Sequence, residues 1–531
     1  MPDFALSTLD LAVILVYIVG IVLLGVWVGR KQDSTDDYFL AGRSLGWGVI
    51  GLSLFASNMS TSSLVGMAGE AYGGVGVAVY NYEWMAGIVL VIFCAFFLPF
   101  YIKTGVYTMP EFLERRFDGR SRLYFSGWTV FLNITVDTAS ALYAGSLVVA
   151  LLYPDLPIEV SIYSLAILAG LYTILGGLKA VVYTDAVQAV LLLAGSAAVA
   201  LIGWNAVQDG GGWEAVTAIT PDEKLSLILP ASDPNLPWPG LLTGVFILGF
   251  YFWATNQFMV QRTLAARTLN QGRWGALFAG LLKLPVIFLM VLPGTFARVL
   301  YPGLERADAV FPTMVFDLLP NGIRALVLTA MVAAIMSSVD STLNSASTLV
   351  TMDFVKRFRP NATSKQLANV GRLVTLVFMV FAALWAPIIL GFDTLWGYLQ
   401  SFLAYVVPPF VALFVVGVFS KRATSSAAFW SVLAGHAASA ALFVLGPVLG
   451  VIAVPFLYIP AILLAVSLAV LGAASRAQPA PDPARIADVT WTPQMWREDT
   501  AALAALPWWQ SYRVQGAALV ALTVLVVVLF W

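Results

Sequence analysis

The chain has 531 residues, of which 60% are hydrophobic and 11% charged, and its mean hydropathy is +0.87. A soluble domain carries about 25% charged residues, so this chain lacks the polar side chains to cover itself in water, and lipid must solvate much of it. A net charge of −1 offers no basic field to nucleic acid; a single cysteine excludes an internal disulfide and a Cys-built metal site, and with a single histidine it leaves zinc and Cys–His nucleophilic chemistry almost no parts to work with.

A helix that spans a bilayer needs about 20 apolar residues. In chain order such segments fall near 9–29, 46–71, 79–102, 122–153, 159–177, 183–206, 237–259, 275–300, 324–356, 367–388, 393–418, 424–448, 452–474 and 512–531. The expectation is an all-α polytopic protein of the cell (plasma or inner) membrane, with about 14 spans. The first apolar run, Leu11–Val28, has no Lys or Arg ahead of it and is longer than a signal-peptide core, so it reads as a membrane helix with its N-terminus outside.

Lys and Arg concentrate on the cytoplasmic side of membrane proteins. Here they alternate with the spans. The inside connections hold Arg30, Lys31 and Arg43, then Lys103, Arg115, Arg116, Arg120 and Arg122, then Lys179, then Arg262, Arg267 and Arg273. They continue with Lys356, Arg357, Arg359, Lys365 and Arg372, then Lys421 and Arg422, then Arg476, Arg485, Arg497 and Arg513. The outside connections hold only Lys224, Arg298, Arg306 and Arg324. The even count returns Trp531 to the outside. Two connections are long: 207–236 outside, and 475–511 inside, the latter reading as a soluble linker before an isolated last helix.

Polar residues inside spans are costly and mark function or tight packing. The second span contains Ser53, Ser57, Asn58, Ser60, Thr61, Ser62 and Ser63. Such a run suits a helix that unwinds at mid-membrane, where freed oxygens take a hard cation; a seam of small residues between helices fits it equally. The ninth span carries Ser337, Ser338, Asp340, Ser341 and Asn344, with the same two readings. Glu83, Lys283 and Gln400 sit at membrane depth in three different spans. They make either a set that reads solute hydroxyls or a buried Glu–Lys pair that ties helices. Asp185 opens the sixth span and reads either as functional or as a helix N-cap. Cys94 and His436, each among apolar or small neighbours, read as packing residues.

Four stretches together resemble the sodium/solute symporter family, and within it the sodium–glucose cotransporter branch of bacterial type. They are Gly176–Gln188, Asn256–Ala266, Ser337–Met352 and Tyr82-Glu83-Trp84-Met85, and matching sequence runs in order from about Tyr38 to Arg422. The resemblance implies a LeuT-like core of ten helices in two inverted repeats over 46–422, preceded by an extra helix and loop over 1–45 and followed by three helices over 423–531. The first helix of each repeat, 46–71 and 237–259, would be discontinuous. Na⁺ as the coupling ion would be held by backbone oxygens of Ala56, Met59 and Ala334 with the hydroxyls of Ser337 and Ser338. A sugar would meet Asn58, Glu83, Lys283 and Gln400, with Phe252 and Trp253 closing the inner side. A second cation would sit at Asp185, Asp340 and Ser341. The chain departs from the family's bacterial galactose transporter at Ser63, Ala86, Gly249 and Phe252, where that protein has Gln, Ser, Asn and Tyr, so the sugar is left unnamed. The implied function is Na⁺-coupled uptake of a monosaccharide by alternating access, without covalent chemistry. The alternatives are a symporter for another polyol or organic solute, or a membrane-embedded sensor.

Overall fold

Lipid offers no hydrogen bonds to the backbone, so each crossing segment must satisfy its own N–H and C=O groups, and helices do this locally. The computed structural model describes residues 7–30, 35–153, 155–173 and 178–531, and over these the regular elements are helical, joined by two isolated β-bridges, Leu45 to Ala266 and Leu229 to Pro237. Gly176 and Gly177 of the sequence motif lie outside the described residues.

Among the described residues, ten helices are long and apolar enough to cross a membrane. They are Thr8–Gly29, Gly76–Thr104, Gly119–Ala150, Leu178–Asp209, Trp238–Thr255, Ile323–Phe358, Ser364–Gly391, Ser425–Val448, Phe456–Arg476 and Tyr512–Leu529. Three more crossings are bent pairs: Trp47–Asn58 with Thr61–Gly73 at 56°, Leu269–Leu282 with Ile287–Leu300 at 41°, and Leu395–Val406 with Pro408–Phe419 at 52°. A further helix, Ile158–Thr173, is apolar but shorter. Ile323–Phe358 is the buried centre of the bundle, whereas Thr8–Gly29 is a rim helix that keeps most of its apolar surface exposed. Trp47–Asn58 packs against Leu269–Leu282 and Leu178–Asp209, and the latter packs against the central helix. The first of these crossings needs glycine on both sides: a Cβ at Gly51 would come within 2.5 Å of Phe278, and one at Gly275 within 2.7 Å of Ile50.

Sequence explains two of the bends. Pro408 and Pro409 have no N–H, so the carbonyls one turn earlier lose their helical donors. Phe410 N bonds Val407 O at 3.0 Å instead of reaching Val406 O. The neighbouring helix Ser425–Val448 supplies replacements: Ser439 Oγ donates to Tyr405 O at 2.6 Å, and His436 Nε2 lies 3.0 Å from Val406 O. His436 also stacks on Trp128 with ring centroids 5.0 Å apart, so it fastens this bend as well as packing beside it. At the other bend, Tyr80 Oη donates to Lys283 O and Leu284 O where Pro285 interrupts the helix.

The chain ends and loops tie the bundle at its rims. Asp10 accepts from Gly322 N at 3.1 Å and pairs with Arg324 at 2.7 Å. Leu227 N, in the 207–236 connection, donates to Phe530 O at 2.8 Å. Three arginines counted with the inside connections are buried clamps. Arg116 donates to the carbonyls of Gly417, Ser420 and Ala423, Arg273 pairs with Asp499 at 2.7 Å, and Arg262 is described below. Burial alone would raise the Asp499 carboxyl, but hydrogen bonds from Arg273 and Arg513 outweigh it and hold the group below its ordinary range. The 475–511 segment is therefore docked: it contains the helix Pro493–Ala504, and Trp491 N donates to Val418 O at 2.8 Å.

Candidate functional site

The hydroxyl-rich run of the second span straddles a helix break. Met59 adopts φ −85°, ψ 74°, and the helix restarts at Thr61 with Ser60 as its N-cap. Ser60 Oγ accepts from Ser63 N at 3.2 Å, Ser63 Oγ donates to Asn58 O at 2.9 Å, and Thr61 Oγ1 donates to Met331 O at 2.7 Å. The hydroxyls thus take over bonds that the interrupted backbone cannot make. A helix terminus leaves carbonyls of its last turn without helical partners, and Ala56 and Met59 lie in that turn and at its cap.

The central helix presents its serines in two directions. Ser338 Oγ donates to Ala334 O at 2.9 Å, and Ser338 lines the cavity described below. Ser337 Oγ donates to Asp185 Oδ1 at 2.5 Å. Asp185 is no N-cap: it lies within the helix Leu178–Asp209 and is fully buried. Arg262 Nη2 reaches Asp185 Oδ2 at 2.9 Å and Ser341 Oγ at 2.5 Å, while Ser53 Oγ accepts from Arg262 Nε at 2.7 Å and donates to Asp185 Oδ2 at 2.6 Å. Arg262 also donates to Phe258 O. The guanidinium therefore joins Asp185 to Ser341, the position that the sequence reading gave to a second cation. Asp340 is buried on the same helix.

A cavity enclosing about 820 Å³ of empty space, its open mouth included, lies beside the break. Asn58, Glu83, Phe252, Trp253 and Gln400 all line it. Lys283 stands behind Glu83, its Nζ 2.6 Å from Oε2, with the two side chains 1% and 5% exposed. Nζ also lies 5.3 Å from the Trp253 ring centroid. The structure thus brings Asn58, Glu83, Phe252, Trp253 and Gln400 to one cavity, and Glu83 forms the buried pair with Lys283. The second helix break supports this wall: Trp238–Thr255 ends in a π-helical turn, Tyr251–Thr255, which carries Phe252 and Trp253, and Asn256 leaves the helix and caps Gln257–Leu264. Four polar atoms of the lining are buried without a partner: Asn58 Oδ1, Ser62 Oγ, Ser140 Oγ and Trp396 Nε1.

A family model described as the sodium:solute symporter family matches residues 38–435. The chain belongs to that family. The symporter is 36% identical over 461 residues to a sodium/glucose cotransporter of Vibrio parahaemolyticus, covering 81% of this chain and 84% of that one. It is 36% identical over 470 residues to sodium/glucose cotransporter 1 of Oryctolagus cuniculus (80% and 70% covered). It is 37% identical over 481 residues to sodium/myo-inositol cotransporter 2 of the same species (82% and 69%). Its fold matches that of a Na⁺-coupled sialic acid symporter with a TM-score of 0.77 at 23% identity, covering 90% of this chain and 99% of that one. Mhp1, a nucleobase-cation-symport-1 family transporter, matches with a TM-score of 0.56 at 14% identity (86% and 98% covered). The fold is that of LeuT-like transporters. The protein is a Na⁺-coupled solute symporter, a multi-pass plasma-membrane protein and not an enzyme, and Na⁺ is its coupling ion.

Several residues of the symporter's cavity were not singled out in the sequence. Asp137, Ser140, Thr342 and Trp396 all line it. Asp137 had a signal, as the one acid within 122–153. Trp396 had none, because an aromatic near a span end is as readily an interfacial anchor.

Proposed function

We propose that the symporter carries a monosaccharide of the glucose or galactose kind into the cell with Na⁺ by alternating access. The observation that carries this reading is the set of unpartnered polar atoms around the Glu83–Lys283 pair. A buried polar group without a partner costs about 1–3 kcal/mol, and here an acceptor, a donor and two hydroxyls share the cavity with aromatic side chains. A polyhydroxylated ring offers both kinds of partner and apolar faces between them. Glu83, Asn58, Lys283 and Gln400 would take its hydroxyls, and Phe252 with Trp253 would close its inner side. The cavity differs from the family's galactose transporter at Ser63, Gly249 and Phe252, all of which line it, so the sugar need not be galactose. The similarity to a sodium/myo-inositol cotransporter favours a cyclic polyol as the second reading.

We place Na⁺ at the first break, between the carbonyls of Ala56, Met59 and Ala334 and the hydroxyls of Ser337 and Ser338. Breaks and neutral oxygens in facing helices suit a hard monovalent ion. With Arg262 on Asp185 and Ser341, that neighbouring position holds its positive charge from the protein itself, and the reading is one Na⁺ per solute. Na⁺ bound from outside favours the solute-competent state, and linkage requires solute to favour Na⁺ equally.

The transport core in this reading is 46–422, ten helices in two inverted repeats, with 1–45 and 423–531 as flanking helices. Fourteen spans leave both termini outside. Contacts support that topology, since Asp10 meets Gly322 and Arg324 and Phe530 meets Leu227, both in connections read as external. Uptake of labelled hexoses and myo-inositol into proteoliposomes, with and without an inward Na⁺ gradient, tests the assignment. Na⁺-driven uptake of a hexose is expected; gradient-driven uptake of neither class would refute it.

A further inference from the structure

The cavity holds one charge that the solute and Na⁺ assignments leave unused. Asp137 lies in the π-helical turn Asn133–Thr138, and its partly exposed side chain lines the cavity. Among the described residues no hydrogen bond or ion pair reaches its carboxylate. The nearby Tyr398 Oη donates instead to Thr135 O at 2.6 Å. The other cavity charges, Glu83 and Lys283, cancel each other. Asp137 is thus an acid with no positive partner on this wall, and its ionised form is costly until something positive arrives.

The turn is fastened to the face of the central helix that carries Ser338. Asn133 Nδ2 donates to Ser345 Oγ at 2.9 Å, and the hydroxyls of Thr138 and Thr342 lie 2.8 Å apart. Thr342 Oγ1 donates in turn to Ser338 O at 2.8 Å. Asp137, Thr342 and Ser338 all line the cavity. The five oxygens assigned to Na⁺ are all neutral. The acid that touches them, Asp185, is already paired with Arg262. Na⁺ therefore enters with a charge that its own ligands do not balance.

We propose that Asp137 is the counter-charge of the transported Na⁺. It is a positioning residue that acts across the cavity without ligating the ion, and with it the cavity loaded with Na⁺ and a neutral solute is electrically neutral. Holding Na⁺ near a carboxylate is less costly than burying it as an unbalanced charge, so Asp137 favours Na⁺ occupancy. The inference rests on the Na⁺ position proposed above.

The test is Na⁺ titration of tryptophan fluorescence in the purified full-length protein without solute, since Trp253 and Trp396 line the cavity. Asp137→Asn is expected to raise the half-saturating Na⁺ concentration about tenfold or more, the scale of a unit charge acting across about 12 Å at an effective dielectric of about 20. Asp137→Glu, which keeps the charge, is expected to stay near the parent. Solute titrated at saturating Na⁺ should bind Asp137→Asn much as it binds the parent. If Asp137→Asn does not fold, Asp137→Ser carries the same expectation. Unchanged Na⁺ binding overturns the proposal: with weakened solute binding Asp137 is a solute contact, and with an altered pH profile of uptake it is a proton carrier. Ser338→Ala, run alongside, separates the two layers. If Ser338→Ala alone weakens Na⁺ binding, the counter-charge inference fails; if neither variant does, the Na⁺ position is wrong.

Discussion

Glu83 and Lys283 lie 2.6 Å apart with side chains 5% and 1% exposed, and they sit against the solute cavity. Removing one member of a buried pair strands the other charge, at about 3–5 kcal/mol. Membership of a helical bundle whose stability is on the order of 5–15 kcal/mol makes that a large loss. Glu83→Gln and Lys283→Met should therefore each lower the thermal unfolding midpoint markedly. The double variant removes both charges and should recover most of that loss. Solute binding should not recover with it. Hydrogen bonds to charged groups contribute roughly 1.5–3 kcal/mol each, and about 1.4 kcal/mol is a factor of ten in affinity. Losing even one such bond weakens solute binding by about tenfold or more. Solute-dependent tryptophan quenching and thermal unfolding, measured on all three variants, separate the roles. A double variant as stable as the parent that also binds solute like the parent would reduce the pair to a structural tie.

Other outcomes follow from the same geometry. Ser338→Ala removes one of two side-chain oxygens assigned to Na⁺ and should raise the Na⁺ concentration for half-maximal uptake; unchanged Na⁺ dependence at equal membrane levels would contradict the site. A Cβ at Gly249 would meet only Val89 Cγ2, at 3.7 Å, so Gly249→Val should fold, narrow the cavity and weaken solute binding while leaving solute-free Na⁺ binding unchanged. Asp308, in the connection before the central helix, accepts from Leu395 N at 3.1 Å, and burial pushes its carboxyl up to about 6. A raised carboxyl stabilises the docked arrangement fully below its ordinary value near 4 and loses that contribution as pH rises through about 6. The unfolding midpoint should accordingly be higher at pH 5 than at pH 7.5, by about 1.4 kcal/mol in stability, and Asp308→Asn should flatten the difference. A parent protein with no such rise would show that Asp308 is not buried in its acid form.

The membrane crossings were legible because composition leaves lipid as the solvent, and the charge alternation located the turns between them. The break at Met59 was legible because Ser60, Thr61 and Ser63 are the side chains that replace lost backbone bonds. Glu83 and Gln400 stood out as cavity residues, and Lys283 as a partner for Glu83, because ionisable or amide groups at membrane depth are costly unless a cavity or each other satisfies them. Arg262 was not. It lies next to a helix break in the sequence and counts there as an ordinary cytoplasmic charge, and only the fold turns it inward onto Asp185 and Ser341. His436 was read as packing because its role depends on carbonyls freed by Pro408 and Pro409 on another helix. Asp137 was visible as an acid in a span, but its direction is set by a π-helical turn, and one extra residue per turn rotates a side chain in a way that a 3.6-residue period does not foresee.

Coupling is the centre of the account, and one measurement addresses it most directly. Proteoliposomes containing the purified protein are given a labelled hexose outside and an inward Na⁺ gradient, then the same hexose with Na⁺ equal on both sides, then with K⁺ replacing Na⁺. Accumulation above the outside concentration is expected with the gradient alone, with simple equilibration at equal Na⁺ and little entry in K⁺. Uptake that is the same in all three conditions would contradict Na⁺-coupled sugar symport by this protein.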